Sequence, residues 1–409
     1  MLAYTKMKFA HFADCHIGGW RDPKLKELPL KCFTKAMEQC LNEKVDFILI
    51  SGDLFNTSLP SIDSLKEVVT VLKKIKDNNV ETYIIAGSHD FSPSGKTMID
   101  VLENAGLCIN VTKGDVIDGK LKLKFTEDRK TGAKITGMLG KKGSLEKKYY
   151  EDMIKENLEN EKGFKIFMFH SAISELKPKD LEAIEAQPLS FLPKNFDYYA
   201  AGHVHERIER KIDGYGLIVY PGPLFPNNFK ELEKSGGGGF YIYEDGKLAF
   251  NPIKVCNVYT IDIDCNHKTP KKIEEEIMKD IKNKEFYDTI VTIKLHGVLE
   301  SGKPSDIDFK LIFTELYSKS AYFVMRNIFN LASKEMDEIK ISEKTSDEIE
   351  NLLIKEHLGQ IKVDGMTPDT EETLVRSLIS MLDMEKVEGE TSDDFEKRVV
   401  GNIGKIIEF

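Results

Sequence analysis

The stretch FAHFADCHIG, residues 9–18, is an apolar, strand-like run that stops at Asp14 and His16. Four later runs end the same way. FILIS (47–51) meets Gly52-Asp53, YIIA (83–86) meets Gly87-Ser88-His89-Asp90, IFMF (166–169) meets His170, and YYAA (198–201) meets Gly202-His203-Val204-His205. Residues at the carboxyl ends of neighbouring strands converge on one rim of a sheet, where open α/β folds place their sites. Carboxylates and imidazoles gathered on such a rim read as a metal site, with too many ligands for one ion.

Outward from these runs, the chain alternates short apolar stretches with helix-period segments up to about residue 255, the α/β pattern. Residues 28–42 and 61–78 read as helices, the second opening at Ser61 with Leu65, Val68, Val69 and Leu72 in helical spacing. SGGGGFYIYEDGKLAF (235–250) reads as two antiparallel strands around an Asp-Gly turn. Through Asn251-Pro252 the chain enters a second α/β unit, strand–helix–strand–helix–strand, over 256–330. From 331 to 409 only helical patterns remain, at 346–358, 370–382 and 392–408, with Leu352, Leu353, Leu374, Leu378, Ile379 and Leu382 as apolar stripes. Such a segment suits a small helical unit or an amphipathic docking arm.

The 409 residues, 41% hydrophobic and 31% charged, describe a globular protein of two or three domains. No run approaches the roughly 20 apolar residues of a membrane span, and the amino terminus enters the first strand without a signal-peptide core. The expectation is a cytoplasmic protein with no membrane partner. The six cysteines show no metal-binding spacing and read as reduced structural thiols. The net charge of −10 is unevenly spread: residues 335–409 hold 20 acidic and 9 basic side chains, leaving 48 acidic and 49 basic in the body. The body therefore remains a candidate for nucleic-acid binding, which strong acidity would oppose. Ten lysines between Lys113 and Lys148 could neutralise backbone phosphates or form a solvated face. No motif for reading base sequence is present.

The candidate ligand set is Asp14, His16, Asp53, Ser88, His89, His170, His203 and His205, with five of the chain's nine histidines. Mn²⁺ tolerates both oxygen and imidazole donors. Two such ions sharing a carboxylate activate water and clamp a phosphoryl group in line. Singly, each residue has a bland reading as a turn, a cap or a buried histidine. Gly-His-x-His is harder to dismiss, because strand alternation puts both imidazoles on one side.

The order Asp-x-His, Gly-Asp, Gly-x-His-Asp, His, Gly-His-x-His resembles the calcineurin-like metallophosphoesterases. HFADCHIG, ISGDLFN, AGSHD, AAGHVH, VYPG and GGGFYIY most resemble the Mre11/SbcD nucleases of DNA double-strand break repair, over residues 7–255. The resemblance implies an α/β fold: a four-layer metallophosphoesterase-type β-sandwich flanked by helices (1–255), a small α/β capping and DNA-contact domain (256–330), and a helical acidic region (331–409) that docks a Rad50-like ABC ATPase. It implies two Mn²⁺ ions, with Mg²⁺ or another divalent ion as a substitute. Asp14, His16 and His205 would hold the first, Asp53 would bridge, and Ser88, His170 and His203 would hold the second. His89 would be the catalytic histidine, with Asp90 either orienting its ring or capping a helix, and Asn56 would help to position the scissile phosphate. A homodimer on DNA ends is implied, paired through stretches around Leu65 and Val101.

The sequence departs from that family at three positions. Ser88 replaces an asparagine and is a poorer metal donor, Pro223 replaces a serine, and Asn56 stands where some relatives carry histidine. The leading expectation is a Mn²⁺-dependent exonuclease and endonuclease that processes DNA ends. Its rivals are a phosphatase or small-substrate phosphodiesterase on the same core, and a weakly active scaffold that binds DNA ends.

Overall fold

The computed structural model describes residues 6–92, 97–141, 146–178, 185–334, 351, 353–355, 358, 367–382, 384 and 392–407. They divide into two units, Met1–Val258 and Tyr259–Phe409. In the first, Lys8–Phe12, Phe47–Ser51, Glu81–Ile85 and Ile109–Asn110 run parallel in that order across one sheet. The hairpin Gly238–Glu244 and Lys247–Ile253 extends the sheet, antiparallel, beyond Lys8–Phe12. Its turn places Asp245 and Gly246 at φ 49° and 88°, the two positive values that a tight two-residue hairpin needs. A second six-stranded sheet has the order Ile208–Ile212, Gly216–Tyr220, Tyr198–Gly202, Lys165–His170, Lys134–Met138, Thr126–Glu127.

Parallel strands covered on both faces should be apolar throughout, and every residue of FILIS and KIFMFH is buried. Phe9, Phe47, Tyr83 and Ile85 pack against Ile135, Ile166, Met168 and Tyr198 between the two sheets. Helices Leu28–Asn42 and Ile62–Asp77 lie on the first sheet, burying Cys32, Phe33 and Ala36 from one and Val68, Leu72 and Ile75 from the other. Ser61 caps the second helix by accepting a hydrogen bond from the Ser64 backbone amide. A further apolar layer holding Tyr150, Leu158, Phe167, Phe169 and Phe196 covers the second sheet. The expected sandwich flanked by helices is present.

Among the polar side chains that link the two sheets is that of His11. It lies with Nδ1 3.0 Å from the Tyr198 hydroxyl and Nε2 3.0 Å from Ser51 Oγ. The Asn251-Pro252 pair, expected to join the units, instead lies inside the edge strand Lys247–Ile253. An edge position tolerates proline because one side of the strand needs no ladder donor.

The second unit has a three-stranded sheet of Asn257–Asp264, Thr289–Leu299 and Phe323–Ser333. Helices Pro270–Ile281 and Phe309–Ser318 build its own core with Ile273, Ile277, Val291, Ile293, Ile312 and Leu316. Helices Pro368–Leu382 and Ser392–Ile407 follow the predicted pattern. Most of the predicted helix at 346–358, with Leu352, lies outside the described residues. Among the described residues no helix is long and apolar enough to cross a membrane, and all six cysteines are free and buried.

Candidate metal centre

Three of the five strand ends deliver their polar residues through a backbone that an ordinary side chain would resist. Asp14, His16, Asp53 and His203 have φ of 51°, 43°, 52° and 85°. This left-handed region is sparsely populated by non-glycine residues, Asp and His being among the more tolerant, and such strain gathers at functional sites. The loop after Lys8–Phe12 continues beside the loop after Phe47–Ser51, the Asp14 and His16 amides donating to the Gly52 and Asp53 carbonyls at 3.1 and 3.0 Å. Gly202 pairs in register with His170. A Cβ on Gly202 would overlap the Ser51 carbonyl oxygen and lie 2.7 Å from His170 Nδ1. The two sheets therefore meet here as closely as backbone allows.

Three overlapping groups of donor atoms result: Asp14, His16 and His205; Asp14, Asp53 and His170; and His16, Asp53 and His89. Within each group the ligand atoms lie within 4.8 Å of one another. His203 sits beside them, its ring centroid 5.2 Å from that of His170, while its backbone amide donates to both Asp14 oxygens at 3.0 and 3.1 Å. Ser88 Oγ is 3.4 Å from Asp53 Oδ2.

The donor chemistry fits divalent cations. His170 Nδ1 lies 2.8 Å from the Ser51 carbonyl oxygen, an acceptor only, so Nδ1 carries a proton and Nε2 can offer its lone pair. That Nε2 faces Asp53 Oδ2 at 3.1 Å. His205 Nδ1 likewise meets Glu231 Oε1 at 2.9 Å, leaving Nε2 to face His16 Nε2 at 3.1 Å. Lone pairs converging in this way need a shared cation, whether a proton or a metal. Without metal, protons serve. Burial opposes charge on His170, but the Asp53 carboxylate prevails and raises its pKa to about 10. Burial likewise works against His205, and the Glu231 hydrogen bond overrides it, raising it to about 9. Burial favours a neutral Asp53, yet the surrounding imidazoles, His170 first, hold it well below the usual carboxylate range. His16 is pushed down to about 3 because burial outweighs the Asp53 carboxylate 3.8 Å away.

Two expected roles take a different form. The Asp90 carboxylate accepts the amides of Leu54, Phe55 and Gly87 at 3.2, 3.0 and 3.1 Å, so it fastens the turn of Asp53 to that of Ser88 and His89. The His89 ring is oriented instead by Asn56, whose backbone carbonyl lies 2.8 Å from Nδ1. Burial raises Asp90 to about 7. The sequence reading missed Glu231. Its Oε2 also accepts the Asn227 amide at 2.7 Å, as a carboxylate that orients a ligating histidine should. Twenty-six positions separate it from His205, and its only local signal is the position three after the helix cap Asn228. Of the ten lysines between 113 and 148, Lys113, Lys124, Lys130 and Lys134 pair with Glu103, Asp115, Asp46 and Glu161. Lys142 lies outside the described residues.

A β-sandwich whose two sheets bring such ligands together at their carboxyl ends defines a metallophosphoesterase. The comparisons agree: residues 7–207 match the model of the calcineurin-like phosphoesterase family, and this match together with the relatives below indicates a metal-dependent phosphoesterase. It is 29% identical over 288 residues to the DNA double-strand break repair protein Mre11 of Methanocaldococcus jannaschii, covering 67% of this chain and 73% of the relative. The protein of the same name from Sulfolobus acidocaldarius is 27% identical over 398 residues, 93% of this chain and 97% of the relative. That of Archaeoglobus fulgidus is 25% identical over 351 residues, 83% of this chain and 77% of the relative.

Proposed function

We propose that this chain is a Mn²⁺-dependent nuclease that hydrolyses phosphodiester bonds at DNA ends. The observation that carries the reading is the convergence of His170 Nε2 on Asp53 at 3.1 Å and of His205 Nε2 on His16 Nε2 at 3.1 Å, lone pairs aimed at common points. In this reading Asp14, His16 and His205 hold one ion, Asp53 bridges, and Ser88, His170 and His203 hold the other. Two divalent ions supply a water acidic enough to attack at neutral pH and positive charge around the phosphoryl oxygens. His89 is the catalytic histidine. With Nδ1–H donated to the Asn56 carbonyl, the imidazolium form of His89 gives its Nε2 proton to the leaving alkoxide oxygen and is left as the neutral Nδ1–H ring, and Asp90 keeps the loop of His89 in register with Asp53. The near full-length similarity to Mre11 proteins supports DNA as the substrate.

The test is cleavage of end-labelled duplex and single-stranded DNA with Mn²⁺, Mg²⁺ or EDTA. His89→Asn should lower the rate about 10²- to 10⁴-fold, the usual contribution of a positioned acid, while Mn²⁺ and DNA still bind. Loss of binding together with cleavage would remove the assigned role. Turnover of an aryl phosphate without DNA cleavage would make the protein a phosphatase. Silence on both, with one ion site empty at saturating Mn²⁺, would make it a DNA-binding scaffold.

Residues 256–330 are proposed to add a DNA-contacting face, and the acidic helices after 331 to dock a Rad50-like ATPase. Removing 335–409, beyond the strand that ends at Ser333, should abolish ATPase binding and leave cleavage by the remaining chain intact; undiminished binding rules the dock out.

A further inference from the structure

Beside the metal centre lies a cavity of about 1150 Å³, lined by His203 and His205 and by residues without any part in holding metal. Its carboxylates are already engaged. Glu206 pairs with Lys234, Glu209 accepts the Tyr241 hydroxyl, and Glu231 serves His205 and Asn227. Its cations Arg207, Lys230 and Lys254 have no ion-pair partner among the described residues. With Arg210, which also lines the wall, four such cations face the one charge left on Glu209, so the walls present net positive charge to whatever enters. Arg207 also lies over the Phe250 ring, its guanidinium carbon 4.3 Å from the centroid. The residue is exposed, so the outer face of this planar stack remains open. Positive charge beside an open flat face suits a ligand that is both anionic and aromatic.

We propose that this cleft binds the single-stranded part of a nucleic acid whose phosphodiester lies at the metal centre, with Arg207 on Phe250 as the platform for one base. The proposal rests on the nuclease reading and extends it to the conformation of the substrate. A base within a duplex has both faces covered by its neighbours, so only an unpaired base can stack here. Lys230 and Lys254 contribute charge for the phosphates on either side.

The experiment is fluorescence anisotropy of a labelled oligothymidylate in EDTA, where no cleavage occurs, with the full chain. Arg207→Ala and Arg207→Lys should each bind about tenfold more weakly, the effect of losing one stacked base; the lysine keeps the charge and lacks the plane. On an abasic strand of equal length, wild type and Arg207→Lys should bind alike. Equal binding of all three proteins to oligothymidylate overturns the proposal, as does an undiminished difference on the abasic strand. Cleavage by the same preparations separates the two readings. A protein that cleaves DNA with Mn²⁺ but binds oligothymidylate irrespective of residue 207 loses only the cleft, whereas one that neither binds nor cleaves DNA loses the nuclease reading.

Discussion

Glu231 shows what a single residue outside the ligand set does. Its carboxylate fixes the proton on His205 Nδ1 and thereby aims Nε2 at His16. Such partners set the tautomer and basicity of a ligating imidazole, and their loss weakens metal about 10- to 100-fold. Glu231→Ala should therefore bind Mn²⁺ more weakly by that factor in calorimetry. Leu232→Ala is the control, because Leu232 anchors the same helix in the interior. It should lower stability by about 2–5 kcal/mol and leave the first ion's affinity largely unchanged. If both variants lose affinity equally, Glu231 acts through the helix and not through His205. The Ser88 hydroxyl is short and meets Asp53 Oδ2 itself at 3.4 Å.

At the scale of elements, the site depends on how closely two strand ends approach. Gly202→Ala would drive a methyl group into the Ser51 carbonyl and toward His170. Buried overpacking of this kind costs about 1–3 kcal/mol, which chemical denaturation of the chelated protein would measure; an unchanged midpoint would show that the sheets can part. His11 joins the same sheets, and burial depresses its folded pKa to about 3 from an ordinary value near 6.5. The folded state thus holds it neutral while the unfolded chain takes up a proton. Its contribution is complete above about pH 6.5 and is lost as pH falls toward 3, with a slope of at most about 1.4 kcal/mol per pH unit. His11→Gln should flatten the fall in stability between pH 6 and 4, and parallel curves would discount the titration.

For the whole molecule, the stretches implied in dimerisation, around helices Ile62–Asp77 and Met98–Asn104, carry unburied apolar side chains. Leu59, Ile62 and Val101 are 76%, 84% and 51% exposed. Ile62→Glu with Val101→Glu should convert a dimer to a monomer in light scattering. Hydrolysis of a small phosphodiester should continue, since neither residue touches a ligand. An unchanged mass would place any self-association elsewhere. The lysines tell the opposite story: four of the ten are held by acids of their own fold, so a charge count along the sequence overstates what that surface offers to DNA.

The sequence by itself determined the elements and the ligand types, because strand burial on both faces demands unbroken apolar runs and a polar residue ending each run stands out. Asp14, His16, Asp53, His89, His170 and His205 were legible for that reason. Only the tertiary structure decided the partners. Glu231 meets His205 across a chain separation of 26 residues, and the Asn56 carbonyl, a backbone group with no sequence signature, takes the place given to Asp90 in orienting His89. Hydrogen bonds of this kind depend on where turns bring atoms together, and residue type alone does not encode it.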